Sequence, residues 1–169
     1  SKENNMTWLI IILFIIAGIW LYSRFVSPSP QYLPLETEPN DPLLLAAMEK
    51  AKSTLPKFVE LFKKYPDDAF VKLYFKSNTG VVEHLGAHVE SINGNELEVI
   101  LVTPPVTHEG YLGKNYICAF EDLEDWQVTD IEGNIYGGYT QRAMFEIAKR
   151  QGIELPNELK RMESKYIES

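Results

Sequence analysis

Cysteine occurs once, at Cys118, so no disulfide can form within the chain and cysteine usage selects no redox compartment. In the strand-like run Tyr116-Ile117-Cys118-Ala119-Phe120 that thiol is expected to be buried and inert, because no neighbouring His or Lys pattern would activate it. Histidine is also scarce. The three that exist lack any Gly-x-Ser-x-Gly or Cys-His setting, which leaves a nucleophile triad without support. Basic residues are few: of 16 Lys and Arg and 24 Asp and Glu, only Lys2, Arg24 and Glu3 precede residue 27, leaving residues 27–169 with a net charge of −9. Such a surface repels phosphate backbones and anionic headgroups, which argues against nucleic-acid binding and against a polybasic membrane patch. No cofactor or nucleotide signature occurs, and no cofactor is expected.

What the chain does have begins with an uncharged stretch from Asn4 to Ser23, almost wholly apolar from Trp8 to Tyr22. About 20 helical residues at 1.5 Å each cover a hydrocarbon core of roughly 30 Å, and Trp8, Trp20 and Tyr22 fall where interfacial aromatics belong. The apolar run passes straight into Ser23-Arg24-Phe25 with no small-residue cleavage site, so an uncleaved anchor is expected rather than a signal peptide. The expected organisation is a transmembrane anchor over 1–26, a linker over 27–40 with four prolines, and a globular domain over 41–169. Contact with the membrane is assigned to residues 8–24. The positive-inside count is nearly tied; an inner-membrane, single-pass chain with its domain outside the cytoplasm is expected, the cytoplasmic face being the alternative.

Asp41-Pro42 reads as a cap and first turn, followed by a helix with Leu44, Ala47, Met48 and Ala51 on one face. A second helix runs from Thr54 or Leu55 to Tyr65, with Phe58, Leu61 and Phe62 inward and Pro66 as its stop. Strands follow: Val71, Leu73 and Phe75 alternate with polar neighbours, and Asn78-Thr79-Gly80 turns into Val81 to Ile92. Asn93-Gly94 then forms a hairpin to Leu97, Val99 and Leu101. A loop over 106–115 precedes a strand at 116–121. The stretch Asp125 to Thr140 supplies one or two more, with Gly133-Asn134 as a turn, positive φ expected at Gly137 and Gly138, and Thr140 capping the next helix. That helix ends at Gly152, and a last one spans Asn157 to Ile167 with Leu159, Met162 and Tyr166 inward. The class is α+β, with an antiparallel sheet of about five or six strands flanked by helices and preceded by one transmembrane helix.

Ala51-Lys52-Ser53-Thr54-Leu55-Pro56-Lys57-Phe58, Val82-Glu83-His84, Asp125-Trp126 and Gly133 through Tyr136-Gly137-Gly138-Tyr139-Thr140 together resemble the bacterial YegJ-like family, a domain of unknown function numbered 2314. The likeness spans roughly residues 41–150. It implies a fold unit and carries no assigned activity.

Three constellations could carry chemistry. His84 and His88 leave one face of a strand, yet positions four apart lie about 13 Å from each other, too far to share an ion without a bulge at Gly86, so no metal site is expected. His108-Glu109 reads as loop decoration. Gly137-Gly138-Tyr139-Thr140-Gln141-Arg142 could seat a carboxylate or phosphate at a helix start, although the glycines equally serve a tight turn. Trp126, Tyr136 and Tyr139 could line a groove with Asp125 and Arg142 at its rim, or Trp126 could be core while Asp125 ties down an amide. The leading functional expectation is a binding module with a protein partner, through His84, Asp125, Trp126, Tyr136, Gly137, Gly138, Tyr139, Thr140 and Arg142. The alternatives are a structural subunit of a membrane assembly and a hydrolase-like enzyme using His84 or His88 as a base.

Overall fold

The computed structural model describes residues 40–76, 80–103 and 115–168. The expected anchor and linker, the turn at Asn78-Thr79 and the His108-Glu109 loop lie outside them. Among the described residues, no helix is long and apolar enough to cross a membrane.

Helix α1 (Pro42–Ser53) starts as the sequence suggests: the Asp41 side chain accepts the Leu43 N–H at 2.9 Å, with proline in the first turn. Ala47 and Ala51 are its buried residues. Helix α2 (Leu55–Lys64) buries Phe58 and Leu61, and Pro66 closes it by opening a short 3₁₀ turn. Six strands follow: β1 (Ala69–Lys76), β2 (Val82–Asn93), β3 (Glu96–Leu101), β4 (Asn115–Ala119), β5 (Leu123–Thr129) and β6 (Ile135–Gly137). They make one sheet in the order β4-β3-β2-β1-β5-β6, every neighbouring pair antiparallel. Helices α3 (Tyr139–Arg150) and α4 (Asn157–Glu163) complete the described fold.

Strand alternation divides the sheet into two unlike faces. Val71 and Leu73 of β1, Leu85, Ala87 and Val89 of β2, Val99 and Leu101 of β3, and Trp126 and Val128 of β5 turn inward and are buried. Against them lie α1 and α2: Trp126 stacks on Phe58 with ring centroids 5.4 Å apart and donates its indole N–H to the Ala51 carbonyl at 3.1 Å. The opposite face carries Phe70, Lys72 and Tyr74 from β1, then His88, Gly86 and His84 directly across on β2. Tyr74, His84 and Ile117 are exposed there, and no helical layer covers them among the described residues.

Two expectations about helix ends change. Thr140 is not the cap of α3: the helix begins at Tyr139, with Gly138 at the cap position in a left-handed conformation and making no side-chain bond. Thr140 is one turn position further in, where Asp125 holds it. The last helix ends at Glu163 rather than Ile167; Tyr166 reaches the sheet by a single parallel bridge to Ile135, and Met162 is exposed. At the other end of α3 the expectation stands. Gly152 has φ +70, and its N–H and that of Ile153 reach back to the Lys149 and Ala148 carbonyls at 3.0 and 2.9 Å, the paired closure a positive-φ glycine permits.

Candidate functional site

The junction of β5, β6 and α3 is built around one carboxylate. Asp125 is 5% exposed, and its oxygens accept from the Trp126 N–H at 2.8 Å, the Thr140 N–H at 2.6 Å and the Thr140 hydroxyl at 2.7 Å. Burial pushes this carboxyl above its ordinary value, and the donors from Thr140, Trp126 and Tyr139 only partly offset that. The first N–H groups of a helix are a ready anion seat. Here the seat is filled from within: the anion at the start of α3 is Asp125 itself.

Around it, the residues singled out in sequence separate into different places. Gly137 and Gly138 have φ +75 and +62, the positive values expected of them. Trp126 belongs to the core at 1% exposure, and Tyr139 meets it edge-on at 5.8 Å. Tyr136 turns away toward the β5–β6 turn, where its hydroxyl lies 3.4 Å from Asp130. Arg142 sits over the Tyr139 ring at 5.9 Å and 3.9 Å from Glu168. His84 stands on the opposite face of the sheet from Trp126, so the two cannot line one groove.

On that open face the two histidines differ. Both ring nitrogens of His88 are engaged, Nδ1 with Glu90 at 2.8 Å and Nε2 with the Asp67 carbonyl at 2.9 Å. Burial alone would lower its pKa, but the Asp67 carbonyl and the Glu90 and Asp68 carboxylates outweigh burial and hold it above the ordinary value. A raised folded-state value gives stability that is full below the unfolded pKa of about 6.5 and lost as pH rises through the folded value. The melting temperature of the wild-type chain should therefore drop relative to His88→Gln across that interval; parallel pH curves for the two would contradict the assignment.

His84 bonds through Nδ1 to Glu124 at 2.7 Å, while its ring stays half exposed and Tyr74 meets it edge-on. Glu124 reaches it because β5 carries an irregularity: Lys72 pairs with Asp125 but Leu73 with Leu123, so Glu124 is the extra residue. Base beside orienting carboxylate is a geometry that can direct a proton. Sequence reasoning passed over Glu124, since a bulge has no composition signature; the adjacent acids of Leu123-Glu124-Asp125-Trp126 break the apolar alternation and were the available sign.

The same irregular stretch borders a concavity of about 180 Å³, lined by Phe70, Lys72, Asp125, Gln127, Gly138, Thr140, Gln141 and Met144 among others. Lys72 lies across from Asp125 in the register, yet Asp125 spends its oxygens on Thr140 and Trp126. No group of three or more His, Cys, Asp or Glu able to hold a metal occurs among the described residues. Cys118 is partly buried, and burial, with the Asp122 charge, pushes its thiol up to about 11, which disfavours the reactive thiolate.

The arrangement of Asp125-Trp126, the double glycine and Thr140 is thus a joint between sheet and helix, and it falls inside a recognised family. The model for the uncharacterized protein conserved in bacteria, DUF2314, matches residues 41–152. The chain belongs to this family. The DUF2314 match takes in α1 through α3 and both sides of the Asp125 joint, and stops short of α4. No curated protein and no solved structure matches the chain.

Proposed function

We propose that the chain is a membrane-tethered binding module of the cell envelope. In this reading residues 8–24 anchor it in the inner membrane, residues 27–40 space the domain from the bilayer, and residues 41–169 face away from the cytoplasm. The open sheet face receives a basic segment of a protein partner. The observation that carries the reading is that face: Tyr74 and Ile117 are 47% and 75% exposed on it, beside the exposed carboxylates of Glu90 and Glu96. Exposed aromatic and aliphatic groups among acids suit a partner with positive charge and some apolar surface, and the net charge of −9 over residues 27–169 would speed its approach.

Two measurements test this together. The full chain should resist alkaline carbonate extraction from membranes. When titrated with a ten-residue Lys/Arg-rich peptide in detergent, its amide resonances should shift at Tyr74, Glu96 and Ile117, with affinity falling as salt rises. Full extraction by carbonate would remove the tether. Shifts confined to the helices, or equal binding of an acidic peptide, would remove the open face as the docking surface.

A further inference from the structure

We infer that the concavity between β1 and the first turn of α3 is a binding site for a small carboxylate with a short apolar body. The inference needs neither the tether nor a protein partner. Several donors in its polar lining have no acceptor. The Lys72 side chain makes no ion pair or hydrogen bond among the described residues, although a carboxylate lies directly across from it in the register. Gln127 uses its Oε1 to accept the Tyr166 hydroxyl at 3.0 Å, which orients its amide NH₂ with no partner among the described residues. The Gln141 amide makes no bond to any described residue either, and both glutamines line the same space as Lys72.

The strongest acceptor, by contrast, is consumed. The Asp125 oxygens take three donors, so the one carboxylate in the lining offers an incoming cation little. A cationic ligand would in addition meet Lys72. A ligand carboxylate would take a charge-assisted bond from Lys72 and neutral bonds from the two amides. Phe70 and Met144 belong to the apolar part of the lining, and a thioether and an aromatic ring together adapt to small alkyl or aryl groups. A space of about 180 Å³ holds a molecule of butyrate or phenylacetate size rather than a nucleotide or a peptide.

The irregular pairing at Glu124 lies beside this space, and Asp125, next to it, holds the start of α3 through Thr140. The helix N-terminus itself is not the ligand's partner, since Asp125 already occupies it.

The test is a nuclear magnetic resonance titration of the full chain in a non-ionic detergent with butyrate, phenylacetate, butyramide and butylamine. Butyrate and phenylacetate should give saturable shifts in the Gln127 and Gln141 side-chain amides and the Met144 methyl. Butyramide and butylamine should bind at least tenfold more weakly. Lys72→Met, which keeps the apolar stem, and Lys72→Gln should each weaken the carboxylates tenfold or more while leaving the Trp126 indole resonance in place, which shows that the fold persists. Equal binding of butyramide, non-saturable or scattered shifts, or unchanged affinity in both Lys72 variants would overturn the inference.

Discussion

Gly137→Ala should destabilise the domain by about 2–6 kcal/mol, the sum of left-handed strain and overpacking in a site that cannot relax. A Cβ at this position would stand 2.3 Å from the Trp126 carbonyl oxygen and 2.7 and 2.8 Å from two atoms of its ring. Neither neighbour can yield easily. The carbonyl already receives the Gly138 N–H at 2.8 Å, and the indole is held by Phe58 on one side and by bonds to Ala51 and Thr54 at its nitrogen. Gly133 supplies the control, because it has φ +84 but nothing within 4 Å of a built Cβ. Gly133→Ala should therefore cost only the backbone strain, about 1–2 kcal/mol. Urea denaturation with unchanged m-values would measure both; equal losses at the two positions would mean that close packing on Trp126 contributes nothing.

Asp125→Ala should cost about 2–5 kcal/mol, since two buried N–H groups lose their acceptor and the Thr140 hydroxyl loses its own. Asp125→Asn keeps one acceptor oxygen but turns an NH₂ toward the same donors, so its loss should be nearly as large. The folded-state carboxyl lies above its unfolded value of 3.8, so the stability linked to this group is full below pH 3.8 and lost as pH rises through the folded value. At neutral pH the wild type therefore carries some cost of burial, and Asp125→Ala is relieved of it. That relief keeps the expected loss below the sum for three orphaned groups. A measured loss under 1 kcal/mol would show that water reaches the helix start and that Asp125 is not its anchor.

Much of the fold was legible because its signals are local. Asp41-Pro42, Asn93-Gly94 and Gly152 each demand a particular backbone, and each sits where that backbone is used. The family resemblance read from Asp125-Trp126 and the glycines likewise marked a real unit. What failed needed information from across the sheet. Thr140 looked like a cap because a hydroxyl before a helix is a good acceptor, and nothing nearby in sequence reveals that Asp125, fifteen residues earlier, takes that task. Trp126 had two readings, core or groove. Strand register decided between them, since Val71 opposite it faces α1 and α2. Lys72, Gln127, Gln141 and Met144 come from three separate elements with no shared spacing, so the concavity they line could not have been foreseen from the chain alone.

The contact between Asp41 and Arg150 has a consequence for how this unit can be joined to others. One carboxylate caps the first helix and also pairs with a guanidinium in the last turn of α3, and that guanidinium holds the Asp41 carboxyl below its ordinary value. The entry and exit of the family region are thus fastened side by side. A unit whose ends meet can be spliced into a loop of another protein, or cut and rejoined in a new order, without stretching either partner.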